Sequence, residues 1–373
     1  MKEKPVFIAL LLVLTLVILS GCTSQDDQTQ LPGDEQISQE MESHEGELSD
    51  DGDQDEETPD SEAQEEESEA GMGSNLTQQI NYKSISPFTG LPLKEDYYSR
   101  AVAVSIENSP AARPQSGLNE AEIVYEFMTE GGITRFLALF WPEIPEKVGP
   151  IRSARPFLIE TAAAYDSLFL HAGASPDGFQ MLSEIEIINL DQIYQSQYYW
   201  RSSKRQAPHN LYSGRPSLSP YLSQISAREY PEQFEFLTAS VVSDFIEAEE
   251  ISIDYWGDYE VLYRYNKLEN RYQRYLNDFD TPHTVESGET ISAKNIIVQY
   301  VETQTKDRAG RLDLDLDSGG KMELFRDGIV IEGSWEKTGQ YNTSYLSSSG
   351  EKIMVNPGET WIQVVPSTTE VSY

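Results

Sequence analysis

The chain has 373 residues, a formal net charge of −36 and one cysteine. At 38% hydrophobic it is long enough for two ordinary cores. The acidity argues against nonspecific nucleic-acid binding, and a single cysteine excludes an intrachain disulfide.

Lys2 and Lys4 precede an apolar run, Val6 to Leu19, which leads into Leu19-Ser20-Gly21-Cys22. A charged head, a short apolar stretch and small residues before a cysteine read as a secretory signal, residues 1–22, with a bacterial lipoprotein cleavage box. The run is short for a membrane span, which needs roughly 20 residues. Cys22 is expected to become the first mature residue and to carry acyl chains, palmitate among them. These would dock the chain to the outer face of the cell membrane, at about 0.8 kcal/mol per buried methylene. An exported fold without disulfides must then be stabilised by its core.

Residues 23–82 contain 20 Asp or Glu and no Lys or Arg. Like charge and low hydrophobicity keep such a segment from burying itself, so it is expected to be a disordered tether spanning on the order of 40 Å. A cation or a basic partner is the alternative use. With the tether and the leader set aside, residues 83–373 still carry −17. Arginine clusters within them are departures from that background.

Residues 83–238 mix strand-like runs ("AVAVSIEN", "EIVYEFM", "FLALFW", "SLFLHAG") with helical ones ("PFLIETAAAYDSL", "DGFQMLSEI"). They predict an α+β or α/β N-terminal domain. Residues 239–373 alternate or run in β-branched and aromatic residues, as in "YEVLYRYNKLENRYQRYL" and "MELFRDGIVIEGSW", with a hairpin turn at Asp327-Gly328. They predict a mostly β C-terminal domain. No internal repeat of fixed period is visible.

"PFTGLPL", "VGPIRSARPF", "LHAGASP", "APHNLYS" and the long run from "AVAVSIENSP" to "TRFLALF" resemble the N-terminal part of the YerB-like bacterial lipoprotein family. "NIIVQ", "DGIVIEGSWEK" and "PGETWIQVVP" are similar to its C-terminal part. The resemblance covers nearly everything after the tether and implies a two-part extracytoplasmic lipoprotein. It brings no reaction with it.

"GPIRSARP" sets Arg152, Ser153 and Arg155 before Pro156, a residue suited to a first helical turn. Ser153 or Arg155 is expected near the helix cap, with the Ser153 hydroxyl accepting a backbone N–H. A helix start flanked by two forked donors suits phosphate or carboxylate. The alternative is that both arginines pair with internal acids.

"RSSKRQAPHNLYSGRP" offers Arg201, Lys204, Arg205, His209 and Asn210 without an acid, a local positive patch that points to an anionic partner or is simply solvated. His171 ends an apolar strand beside Gly173 and Ser175, a place where sites form in α/β folds and where structural histidines also sit. In "EFMTEGGITRF", Glu126 could be a general base. Otherwise Gly131-Gly132 makes a hairpin turn and Arg135 pairs across strands with a glutamate. In "NSPAARPQSGLNEA", Arg113, Gln115 and Asn119 could reach a ligand; the alternative is that the prolines only fix a turn.

"DLDLDSGGKMEL" mimics a calcium loop, but Ser318 and Leu324 stand where glycine and a carboxylate are needed, so a strand and turn are expected. No P-loop, H-E-x-x-H, CxxC or G-x-S-x-G sequence occurs, and neither a metal nor a cofactor is expected. Ser153 as a nucleophile with His171 or His209 as base would require them to converge in space.

Three functions compete. The first is a membrane-anchored protein that binds an anionic wall polymer or its precursor, or serves as an accessory to an envelope protein. The second is a hydrolase or transferase acting on such a polymer. The third is a protein-interaction module whose basic residues are internal pairs.

Overall fold

The structure is a computed structural model that describes residues 84–95, 97, 99–238, 246–256 and 259–373. The signal segment, Cys22 and the tether of 23–82 lie outside the described residues. Among those described, no helix is long and apolar enough to cross a membrane.

The larger elements in chain order are β1 (Val102–Glu107), β2 (Ile123–Met128), β3 (Thr134–Phe140), α1 (Pro156–Ala164), β4 (Leu168–His171), α2 (Pro176–Glu184), β5 (Asn189–Asp191) and α3 (Arg215–Leu222). There follow β6 (Ile246–Glu247), β7 (Glu250–Trp256), β8 (Tyr259–Asn266), β9 (Arg271–Leu276), β10 (Asn295–Val301), β11 (Thr303–Thr305) and β12 (Leu312–Leu314). The last are β13 (Gly320–Arg326), β14 (Ile329–Thr338), β15 (Asn342–Ser347) and β16 (Thr360–Pro366). The chain is thus mostly strand, with its helices in an α+β N-terminal region and a β C-terminal region.

An 11-stranded sheet runs β6-β14-β13-β10-β16-β2-β3-β1-β4-β5, with β15 added against β14. β16 pairs in parallel with both β10 and β2, so strands from the two halves of the chain lie side by side at the centre. A second, 6-stranded antiparallel sheet is built around β7, β8 and β9.

Central strands buried on both faces explain why "VAVSIE" and "TRFLALF" read as near-continuous apolar runs. Period two divides their side chains. Val102, Val104, Ile106 and Val124 pack with Ile251, Ile253, Val261 and Tyr263 of the second sheet. Ala103, Ile123, Tyr125 and Phe127 pack with Phe157, Leu158 and Ile159 of α1 on the other face. Each large apolar side chain buried this way contributes about 1.5–3 kcal/mol.

Helix α1 begins with Pro156 at its first position, as the sequence suggests, but its cap residue is Arg155 and carries no side-chain cap bond. Ser153 is two residues too early for its hydroxyl to serve the first turn, which corrects the expected capping role. Asp315, within the calcium-like stretch, accepts the Asp317 and Ser318 amides at 2.8 and 2.9 Å and makes a turn between β12 and β13.

Candidate functional site

Three loops and one hairpin turn meet where β1 ends and β3 begins. Beyond Glu107, residues 108–116 fold over a short 3-10 turn, Pro110–Ala112. The buried Gln115 ties that loop down by donating to the Glu107 carbonyl at 3.1 Å and to Asn108 Oδ1 at 3.0 Å. Residues 149–155 run beside the end of β1, held by Glu107 N–H to Pro150 O at 2.8 Å and Arg152 N–H to Ser105 O at 2.9 Å. The loop of 201–210 is closed by Asn210, which accepts from Arg201 at 2.9 Å and donates to the Ser202 and Arg205 carbonyls. The turn between β2 and β3 places Gly131 and Gly132 at positive φ, as a tight hairpin requires.

Glu107 is the hub. It is 2% exposed, and its carboxylate takes the Arg152 fork, with Nε and Nη2 each at 2.9 Å. Its Oε1 also accepts from Ser109 Oγ at 2.7 Å, and both oxygens lie within 3.0 Å of His209 Nδ1. That contact leaves His209 Nε2 without a hydrogen-bond partner among the described residues, on a side chain 27% exposed.

The other arginines differ in their partners. Arg155 forks onto Glu130, with Nε at 3.1 Å, and donates through Nη1 to the Ala154 carbonyl. Burial alone would raise the Glu130 carboxyl, but the Arg155 bonds hold it below its ordinary value.

Arg135 is 6% exposed and donates to the Ser153 carbonyl. Its neighbour across the β1–β3 register is Glu107, yet the two form no ion pair, because the Glu107 oxygens are taken by Arg152, His209 and Ser109. Burial, with Arg155 and Arg152 close by, lowers the Arg135 guanidinium, which still remains charged at neutral pH.

Arg113 gives Nε and Nη2 to Asn108, at 3.1 and 2.7 Å, and its guanidinium lies 5.4 Å from the centre of the Tyr259 ring. Arg205 reaches across to the Ala112 and Pro114 carbonyls. Among the described residues, Arg113, Arg135 and Arg205 therefore have no carboxylate partner.

The structure separates the remaining candidates from this group. His171 is fully buried, with Nδ1 donating to the Gly173 carbonyl at 2.9 Å, Nε2 at 3.2 Å from Asn189 Oδ1, and its ring stacked on Phe169. Ser153 contributes only its carbonyl. Asn119 meets Glu289 on the surface at 2.8 Å.

Glu126 points to the face covered by the second sheet and is fully buried. It accepts from Thr134 Oγ1 at 2.7 Å, Asn108 Nδ2 at 3.2 Å and Tyr259 OH at 2.6 Å, and it pairs with Arg274 at 2.8 Å. Arg274 also donates to His283 Nδ1 at 2.6 Å, and His283 Nε2 meets Gln115 Oε1 at 3.1 Å. Burial and Arg274 hold His283 well below its ordinary value, so it is neutral, with its proton on Nε2.

Sequence reasoning missed Glu107, Tyr259, Arg274 and His283. Only Arg274 left a signal, a charged residue in the same strand phase as the buried Tyr272.

A cleft of about 670 Å³ opens at this end of the sheet, lined among others by Arg113, Gly131, Gly132, Ile133, Tyr259 and Leu312. Among the described residues, no three His, Cys, Asp or Glu side chains are placed to hold a metal ion.

Residues 88–228 match the family described as "Protein of unknown function (DUF3048) N-terminal domain", and residues 251–362 match the C-terminal domain of the same description. A relative from Bacillus subtilis (strain 168), named "Putative lipoprotein YerB", is 33% identical over 297 residues, covering 77% of this chain and 88% of the relative. The crystal structure of the YerB protein from Bacillus subtilis superposes with a TM-score of 0.70 at 32% identity, covering 78% of this chain and all of the other. The buried hub, the shared sheet and the two family halves are thus parts of one chain that belongs to the YerB-like DUF3048 family.

Proposed function

We propose that this protein is a lipoprotein anchored through Cys22 to the outer face of the bacterial membrane, and that its folded part binds an anionic envelope ligand, a wall polymer or its precursor. One observation carries the reading: Arg113, Arg135 and Arg205 gather at one end of the sheet with no carboxylate partner among the described residues, beside Arg152, Arg155 and His209. In a folded part that carries −17, such a surplus concentrates positive potential in one place. The acidic tether would hold this surface off the anionic bilayer.

The test is retention of the full-length chain, in detergent micelles, on purified wall sacculi before and after extraction of their phosphate-bearing polymers. Retention should be strong in low salt, should fall on extraction, and should vanish near 1 M salt, where the screening length is about 3 Å. Equal retention on extracted walls rejects the reading.

A second reading is favoured by a separate observation. Glu107 orients His209 through Nδ1 and leaves Nε2 without a partner among the described residues, on a partly exposed side chain, an arrangement suited to a general base. A hydrolase or transferase would use that nitrogen, with Glu107 as positioning residue. Turnover of wall precursors that His209→Gln abolishes would support it, and binding without turnover would remove it.

A further inference from the structure

The cleft beside Arg113 has the volume of a small-molecule site, which runs from about 300 to 1,000 Å³. One wall is the β2–β3 turn. A Cβ built on Gly131 or Gly132 would meet nothing within 4 Å, so the turn's backbone borders open space. Among the described residues neither glycine amide has a hydrogen-bond acceptor, and both glycines border the cleft.

Among the described residues, the single charged side chain of the lining is Arg113. Two of its nitrogens are committed to Asn108, and Nη1 has no acceptor among the described residues. Asn108 is itself fixed, since its Nδ2 lies 2.7 Å from Thr134 Oγ1 and 2.6 Å from Tyr259 OH, and its Oδ1 accepts from Gln115. The guanidinium is thus presented on a rigid arm, which lowers the ordering cost of binding. Ile133, Leu312 and Pro110 supply apolar wall. One fixed cation, a glycine turn with two unpaired amides at the rim and apolar sides suit one anionic group on a ring-sized, partly apolar body. They do not suit a bare inorganic anion, which would leave most of the cleft unfilled.

We infer that this cleft seats a hexose-sized sugar carrying a single phosphate or carboxylate, a terminal or repeating unit of the envelope polymer. The inference rests on the binding reading above and assigns that ligand's direct contact to Arg113 and the Gly131–Gly132 amides.

Calorimetric titration of the full-length chain in detergent micelles tests it with three probes: N-acetylglucosamine 1-phosphate, glucuronate and inorganic phosphate. At least one ring-bearing anion should bind about tenfold or more tightly than inorganic phosphate, and Arg113→Gln should weaken it by about tenfold. Thr305→Trp, a change at an exposed residue on the cleft wall, should block the same binding without lowering the melting temperature.

Equal binding of all three probes overturns the inference, as does ring-anion binding that Thr305→Trp leaves intact. If no probe binds while sacculi still retain the chain, the cleft assignment fails and the binding reading stands. If sacculi fail as well, both fall.

Discussion

Glu126 and Arg274 are both fully buried, and among the described residues each is the other's only ionic partner. Burial would lower the Arg274 guanidinium, but the facing carboxylate holds it well above its ordinary value. The pair is further hemmed by the Phe136 and Trp361 rings, at 5.5 and 5.4 Å from the guanidinium carbon. Removing one partner strands the other charge away from water. Arg274→Met should therefore cost about 3–5 kcal/mol in urea unfolding, and adding Glu126→Gln should restore a good part of it. Additive losses would mean that the two residues are not coupled. Glu122 behaves in the opposite way, because among the described residues it has no cationic partner. Burial pushes its carboxyl up to about 8 and Glu359 adds to the rise, while the Ser86 hydroxyl, 3.1 and 3.3 Å from its oxygens, opposes it. The folded state keeps a proton that the unfolded chain releases near pH 4.5. Stability should then fall as pH rises from there to about 8 and stay level above it. Glu122→Gln should flatten that part of the melting-temperature profile, and an unchanged slope would assign the pH dependence to other groups.

Glycines show how an element's needs differ from a turn's. Gly333 lies in β14, opposite Ser347 of β15, and a Cβ on it would come within 2.0 Å of the Leu346 carbonyl oxygen. Gly333→Ala must separate those strands, at a cost of about 1–3 kcal/mol. Gly131→Ala meets open space and carries only the strain of a positive φ, about 1–2 kcal/mol. Protection of the β15 amides in hydrogen exchange should drop in the first variant and persist in the second. If both lose it, the close contact at Gly333 is not what holds the edge. The elements themselves were legible wherever local chemistry decides them: Pro156 starts α1, alternation divides β2 between two cores, and Gly131-Gly132 turns the chain. The site was legible only as a set of basic residues. The convergence of Arg113, Arg135, Arg152, Arg155, Arg205 and His209 depends on how four chain segments meet, and no periodicity encodes that. Glu107 looked like the end of a strand. Its role arises because β1 stops where loops 149–155 and 201–210 arrive. His171 was a reasonable candidate by position, but its strand phase turns the ring onto Phe169, inside the fold.

At the scale of the molecule, the order β10-β16-β2 makes the two halves of the chain mutually dependent. β2 takes one neighbour, β3, from its own half and the other, β16, from residues 360–366. A chain ending at residue 238 would leave β2 as an open edge with its backbone donors and acceptors unpaired, a template for aggregation. It would also expose Val102, Val104, Ile106 and Val124, which pack against the second sheet, and leave Glu126 without Arg274. These losses share one cause and reinforce one another, because the strand that would close the edge and the sheet that would cover the face are both missing. Residues 83–238 expressed alone should therefore aggregate or bind a hydrophobic dye, with little near-ultraviolet circular dichroism. Adding residues 239–373 as a separate chain should restore a soluble complex if the edge and face are what fail. A cooperative, monomeric melt of 83–238 by itself would show that the first half closes its own sheet. The basic cluster at the end of β1 could then be studied without the second half. Tyr259 and Leu312, which line the cleft, would be absent from such a fragment in either case. The fragment could keep the arginines and still fail to bind a sugar-sized anion, which separates the contribution of the charge from that of the cleft.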